Sequence, residues 1–184
     1  MTKKEQTTIS KFMSLALRHE PQKVDIQLDE HGWANTEKLI TGINNIGYTV
    51  TLEDIKKIVE TNDKQRFKFN DDFTQIRANQ GHSVKINVDL KEITPPDILY
   101  HGTSLSNLDS IQKNGIRSQS RLHVHLSSDK ETAKQVGSRH GKPVILIINT
   151  KQMYMDKYNF YLSENKVWLT DKVPPKYIKN HIVV

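Results

Sequence analysis

An α+β fold in two lobes is predicted for these 184 residues by three observations. Helical periodicity recurs before residue 61 and then gives way to a short alternating pair of strands. Thr94-Pro95-Pro96-Asp97 next breaks any regular element, because two consecutive prolines continue neither a helix nor a central strand. Beyond that break, short strands and short helices follow one another without the regular βαβ alternation of a parallel sheet. The expected lobes are therefore 1–94 and 95–184.

In the first lobe, residues 8–19 place Ile9, Phe12, Met13, Ala16 and Leu17 on one helical face. Glu20-Pro21 ends that helix, since a residue before proline is pushed out of the α region, and Arg18 and His19 fall at its C-terminus. A second helix is expected from Asn35 or Thr36 through Leu39, Ile40 and Ile43. A third starts at Thr51, whose pairing with Asp54 resembles a capping box, and turns Leu52, Ile55, Ile58 and Val59 inward. Arg66-Phe67-Lys68-Phe69 alternates strictly, Asn70-Asp71-Asp72 signals a turn, and a second strand follows over 74–78. Helices followed by a hairpin in this order make a winged-helix arrangement, a relative of the helix-turn-helix often found on nucleic acid. In the second lobe strands are expected at 98–102, 122–127, 143–149, 159–162, 167–170 and 181–184. A helix runs from about 105 to Asn114 and is closed by Gly115, and another is capped by Ser128 with Glu131 three residues on.

Bulk composition narrows the function. The N-terminal residues are polar, without the apolar core of a signal peptide, and no apolar run is long enough to span a bilayer, so a cytoplasmic protein without a membrane partner is expected. The absence of cysteine removes disulfides, thiolate nucleophiles and cysteine-based zinc sites. Net charge is +6, and all of the excess lies in the second half: residues 1–92 balance 14 basic against 14 acidic side chains, while residues 93–184 carry 13 against 7. A basic surface invites an anionic partner, although an excess of this size also serves solubility alone.

Arginine usage is more pointed. Only six arginines stand against twenty-one lysines, and most lie near a histidine: Arg18-His19, Arg77 ahead of His82, Arg121 ahead of His123 and His125, and Arg139-His140. A chain content with lysine for solvation has kept the planar five-donor guanidinium at a few places, which suits two-pronged recognition of an oxyanion, with imidazoles at hand for proton transfer. At the C-terminus of the first helix, Arg18 and His19 either complement the helix dipole or hold a phosphate beside a general acid. The loop IRANQGHS, residues 76–83, crowds Arg77, Asn79, Gln80, His82 and Ser83 together; it reads as a solvated turn or as a ligand-contacting loop. LYHGTS, residues 99–104, ends an apolar strand in His101, Gly102, Thr103 and Ser104 before a helix, where a close backbone approach and a pyrophosphate are possible. RLHVHLS, residues 121–127, puts Arg121, His123 and His125 on one side of a strand; two histidines without a third ligand do not make a metal site, and none is expected. VGSRHGKP fails as a phosphate-binding P-loop because Gly137 and Gly141 are three residues apart instead of four and Pro143 replaces the magnesium-binding hydroxyl. No Rossmann fingerprint follows a strand. Trp33 and Trp168 read as core aromatics.

In their order, SKFMSLALRHEP, EHGWANTEKLI, RFKF, IRANQGHS, LYHGTS, RLHVHLS and NKVWLT closely resemble the NAD-dependent RNA 2′-phosphotransferase family, from about residue 9 to 180. The resemblance implies an N-terminal winged-helix RNA lobe and a C-terminal ADP-ribosyltransferase-like lobe that binds NAD without a Rossmann fold. It implies removal of an internal RNA 2′-phosphate, of the kind some tRNA-splicing routes leave, with NAD as co-substrate and no metal. Arg18, His19, Arg66 and Arg121 match the family's functional tetrad. His101, Gly102 and Thr103 resemble its NAD-contacting strand, with Ser104 and Arg139 as candidates for the pyrophosphate, and Arg77, Asn79, Gln80, His82 and Ser83 as substrate-binding or supporting residues. A monomer is expected. Two rivals remain: an ADP-ribosyltransferase acting on terminal phosphates of DNA or RNA, and a winged-helix regulator without catalysis.

Overall fold

The computed structural model describes residues 1–62, 64–84, 86 and 90–184, with His140 described by its backbone alone. The chain is mixed helix and strand and divides into two compact units, Met1–Asp89 and Leu90–Val184.

The first unit opens with α1 (Lys3–Arg18), which starts five residues ahead of the expected 8. Its start is set by a reciprocal cap that apolar periodicity does not reveal: Glu5 N donates to Thr2 Oγ1 at 3.3 Å and Thr2 N donates to the Glu5 carboxylate at 2.7 Å. Ile9, Met13, Ala16 and Leu17 are buried as their spacing requires. A 3-10 turn, Pro21–Val24, follows, and then β1 (Trp33–Asn35), a strand too short to register in the sequence. Asn35 caps α2 (Thr36–Asn45) by accepting from Lys38 N at 2.9 Å, and the Thr51–Asp54 box starts α3 (Leu52–Glu60). The hairpin β2 (Phe67–Phe69) and β3 (Gln75–Ala78) pairs antiparallel, with β1 on the far side of β3.

Register sorts the two faces of this sheet. Ala34, Ile76, Phe67 and Phe69 face a core that includes Leu39, Ile43 and Ile55. Trp33, Arg77 and Lys68 form one row across the opposite face. Trp33 is therefore not a core aromatic: it is half-buried, with the Arg77 guanidinium 4.7 Å and the Lys68 ammonium 5.4 Å from its ring centroid. A cation over an aromatic face is attracted by the ring quadrupole, which keeps the indole at the sheet surface.

The second unit runs β4 (Leu99–Ser104), a 3-10 turn, α4 (Leu108–Asn114), β5 (Ile116–Arg117), β6 (Val124–Leu126) and α5 (Lys130–Gly137). It continues through β7 (Pro143–Ile148), α6 (Thr150–Met155), β8 (Tyr161–Leu162), β9 (Trp168–Thr170), β10 (Lys172–Val173) and β11 (Ile178–Val183). Three antiparallel sheets result, ordered β11-β7-β4, β6-β9-β8 and β10-β5. Residues 90–94 pack with this unit: Ile93 N donates to Phe160 O at 2.9 Å and Thr94 Oγ1 to Tyr154 OH at 3.2 Å. Its core gathers Leu99, Leu126, Leu146, Ile148, Met153 and Phe160, with Trp168 buried against it. Gly115 closes α4 at φ +75° as expected, a conformation L side chains rarely adopt. Asp129, not Ser128, caps α5, because its carboxylate accepts from both Thr132 N at 2.7 Å and Thr132 Oγ1 at 2.9 Å.

Helix α5 lies directly on β4. A Cβ on Gly102 would overlap the Ala133 carbonyl, and one on Gly137 would stand 2.6 Å from the Thr103 carbonyl oxygen. The glycine of LYHGTS is thus required by helix-to-strand contact on that side. Replacing Gly102 with Ala is expected to destabilise the protein by about 3 kcal/mol, the cost of overpacking a tight contact, seen as a lower urea midpoint at unchanged slope.

Candidate functional site

In the first unit, candidate side chains gather around the last turn of α1. His19 N and Glu20 N both donate to Leu15 O at 2.9 Å, the second across five residues, so the helix is widening as it ends at Arg18. The Arg18 carbonyl, one of the acceptors a helix end leaves over, receives Ser83 N at 3.0 Å and Val84 N at 3.4 Å. That return of the chain sets Ser83 Oγ 2.9 Å from His19 Nδ1. The adjacent His82 is only 2% exposed. Its pKa is pushed down from 6.5 to about 3, first by burial and then by the charges of Arg18, His19 and Arg77, so its ring is neutral at physiological pH.

Arg66, just before β2, is held through Asn62. Both its backbone N, at 3.3 Å, and its Nη1, at 3.1 Å, donate to Asn62 Oδ1, while Asn62 Nδ2 donates to Ser10 Oγ of α1 at 3.3 Å. Asn79 reinforces the same stretch, its N donating to Arg66 O at 2.9 Å and its Nδ2 to Gln65 O at 2.6 Å. Within the RANQGHS loop the structure separates support from surface. Arg77 and Asn79 are buried along with His82, Gln80 is half-buried and Ser83 is exposed. Arg77 donates from Nη1 to His31 O at 3.3 Å and lies over Trp33, which ties it to the sheet.

In the second unit the candidates collect where β4 meets β6. Tyr100 and Ser127 exchange backbone bonds at 2.9 and 2.7 Å, bridging the two strands. Beside this bridge His101 Nδ1 lies 2.9 Å from the His125 carbonyl. A carbonyl only accepts, so the proton is on Nδ1 and Nε2 keeps its lone pair. Burial pushes the His101 pKa down against the pull of that bond, with Arg121 pushing the same way. Arg121 Nη1 donates to His125 Nδ1 at 3.1 Å, so His125 carries its own proton on Nε2. Although Arg121 as a residue is exposed, desolvation of its guanidinium first and the charge of Arg139 second lower its pKa; two guanidiniums are thus near enough to repel. His123 has other partners, Asp171 at 3.9 Å and the Tyr161 ring at 5.7 Å. Thr103 and Ser104 are buried and engaged locally: Thr103 Oγ1 accepts from Asn107 at 3.3 Å, and Ser104 Oγ shares a bond with Ser106 Oγ at 2.8 Å.

Each unit thus brings sequence-distant cationic and imidazole groups together. The first joins Arg18, His19, Arg77, His82 and Ser83, and holds Arg66 from α1 through Asn62. The second joins His101, Arg121 and Arg139. Two contacts of the arrangement were not foreseen. Asn62 carries no local signal, since a polar residue after a helix is ordinary. The tie of His125 to Arg121 is hinted at only by their four-residue spacing in RLHVHLS. Among the described residues no three His, Asp or Glu side chains gather as a metal site, and no helix is long and apolar enough to cross a membrane.

A family described as RNA 2′-phosphotransferase, Tpt1 / KptA family, matches residues 4–172. The chain is 54% identical over 172 residues to the probable RNA 2′-phosphotransferase of Fusobacterium nucleatum subsp. nucleatum, covering 93% of this chain and 96% of the relative. The corresponding protein of Flavobacterium johnsoniae is 53% identical over 172 residues, 94% of each chain. That of Hahella chejuensis is 50% identical over 169 residues, 92% of this chain and 91% of its own.

The neutral His82 fixes a pH dependence. Unfolded, its imidazole takes up a proton below about pH 6.5; folded, it resists until about pH 3, so stability is intact above the unfolded value and falls as pH drops between the two. Urea melts are expected to show that slope, up to about 1.4 kcal/mol per pH unit from this one group, and His82→Gln is expected to flatten it by that amount. Identical slopes in the two proteins would show that His82 is not held neutral by its surroundings.

Proposed function

This chain belongs to the RNA 2′-phosphotransferase, Tpt1 / KptA family, and from that premise we propose that it removes an internal 2′-phosphate from RNA by transferring it to NAD in two steps. The observation that carries the reading is the adjacency of a guanidinium and an imidazole at the end of α1, with Nδ1 of His19 engaged by Ser83 Oγ at 2.9 Å. In the first step an oxygen of the RNA 2′-phosphate bonds to C1″ of the nicotinamide ribose as the bond to nicotinamide breaks. The departing ring takes the electron pair and leaves neutral, so no acid is needed. In the second step the ribose 2″-hydroxyl oxygen bonds to phosphorus, the bond from phosphorus to the RNA 2′-oxygen breaks, and His19 Nε2 gives that oxygen a proton. The 2″-hydroxyl proton passes to water. The products are RNA with a 2′-hydroxyl, nicotinamide, and ADP-ribose 1″,2″-cyclic phosphate.

The chain's own residues divide this work. Arg18, Arg66 and Arg121 hold the phosphate, which carries about −1.5 to −2 charge and is gripped best by paired guanidinium donors. The neutral His101, with its Nε2 lone pair free to accept, suits a ribose hydroxyl. The backbone of Gly102 and Thr103 suits the nicotinamide amide. Arg139 and Ser104 are assigned to the pyrophosphate. Arg77, Asn79, Gln80, His82 and Ser83 are assigned to substrate binding or support, with Asn79 backing the Arg66 stretch and Ser83 meeting the Arg18–His19 turn. The order α1, β1, α2, α3, β2, β3 supports reading the first unit as a winged-helix RNA lobe, and the small antiparallel sheets around His101 and Arg121 support an ADP-ribosyltransferase-like second lobe. An RNA substrate fits a cytoplasmic setting.

Incubation with NAD and a 2′-phosphorylated oligonucleotide is expected to release nicotinamide and the cyclic phosphate, with His19→Ala accumulating the ADP-ribosylated strand because the leaving oxygen lacks its acid, a factor of about 10²–10⁴ in that step. A wild-type reaction that stops at an ADP-ribosylated strand would overturn the two-step reading. Arg66→Lys is expected to lower kcat/KM at least about tenfold without a matching change in thermal stability, since an ammonium cannot reproduce a two-pronged contact. Unchanged kinetics would remove Arg66 from the phosphate clamp.

A further inference from the structure

His19 can serve as an acid at a chosen oxygen only if one ring nitrogen is held and the other presented. An imidazole at the end of a helix can otherwise rotate about its own side-chain bonds and carry its proton on either nitrogen. The structure supplies a holder from outside the helix. Ser83 and Val84 bring two backbone N–H groups onto the single Arg18 carbonyl, at 3.0 and 3.4 Å. Those bonds anchor the serine backbone one residue from the imidazole, and its Oγ lies 2.9 Å from Nδ1. The anchoring uses main-chain atoms only, so the hydroxyl can be removed without disturbing it. The preceding residue, His82, is buried at 2% exposure, which seats the loop in the interior next to Ser83.

We propose that Ser83 is the positioning residue for His19: its hydroxyl oxygen accepts the Nδ1–H of the imidazole and thereby reserves Nε2 for proton exchange with the RNA 2′-oxygen. With Nδ1–H directed at Ser83 in both charge states, the ring donates from Nε2 as imidazolium. It then remains as the neutral Nδ1–H tautomer, ready to take a proton back from water at Nε2. The hydroxyl hydrogen of Ser83 points away from the ring and stays on its oxygen throughout. A serine is apt here because a carboxylate in the same place would neutralise the cationic turn that Arg18 and His19 present to a phosphate. The kinetic consequence rests on the two-step reading above, whereas the tautomer does not.

Nitrogen-15 spectra of the full chain decide the second point directly. In the wild type, neutral His19 is expected to show a protonated, pyrrole-like Nδ1 and a bare, pyridine-like Nε2, and Ser83→Ala is expected to shift that distribution towards the opposite tautomer. A wild-type ring protonated on Nε2, or nitrogen signals of His19 indifferent to Ser83→Ala, would overturn the proposal. In the NAD and 2′-phosphate assay, Ser83→Ala is expected to slow decay of the ADP-ribosylated strand by about tenfold to a hundredfold, part of what a general acid contributes. Formation of that strand should stay within about twofold, and Ser83→Thr should restore the lost step because it keeps the hydroxyl. Equal slowing of both steps, or no rescue by Thr, would make Ser83 a merely structural residue. Should the wild type fail to consume the 2′-phosphorylated strand at all, the two-step reading falls while the nitrogen spectra still judge the contact between Ser83 and His19.

Discussion

Positive groups placed side by side must be held by something other than their mutual attraction, since they have none, and that constraint runs through both units. Around the end of α1, the charges of Arg18, His19 and Arg77 all oppose a proton on His82, which is left neutral in the interior. In the second unit Arg139 bears on Arg121 in the same sense. The fold meets the repulsion with acceptors from neighbouring elements: Asn62 for Arg66, the His31 carbonyl and the Trp33 ring for Arg77, and the His125 ring for Arg121. These acceptors are uncharged, so each of these contacts aims a guanidinium without itself adding negative charge.

The same logic explains why the two units are built differently around their candidates. In the first, a loop folds back on a helix end, and main-chain bonds to one carbonyl do the fixing. In the second, two strands from different sheets touch at Tyr100 and Ser127, and the groups of interest sit on the residues next to that bridge. Helix α5 presses on β4 so closely that Gly102 and Gly137 have no room for a side chain, which gives the strand bearing His101 a rigid back.

Much of this was legible in the chain, and the gaps have physical causes. Apolar periodicity located α1 to α3, yet it overlooked the first turn of α1 because that turn is polar and owes its start to Thr2 and Glu5. The capping residue of α5 was misplaced by one, since Ser128 and Asp129 are both good caps and only geometry chooses between them. Strands of two or three residues, β1, β5 and β10, lack a period long enough to read. Trp33 looked like core because tryptophan usually is; two cations from neighbouring strands keep it at the surface, and they are adjacent only once register is known. Arg18, His19, Arg66 and Arg121 could be picked out by residue type and motif. Asn62 could not, because its importance lies in whom it meets, Ser10 and Arg66, and not in what it is.

His125 shows how economically such an arrangement can be wired. Its main-chain oxygen fixes the tautomer of His101, while its ring nitrogen receives Arg121. One position therefore addresses two groups through atoms that evolution can alter separately: any side chain supplies the carbonyl, but only one with a suitable acceptor supplies the other contact. Drift at this position would leave the handling of one partner intact while retuning the other, so that the aim of the Arg121 guanidinium can change without touching the neighbouring imidazole.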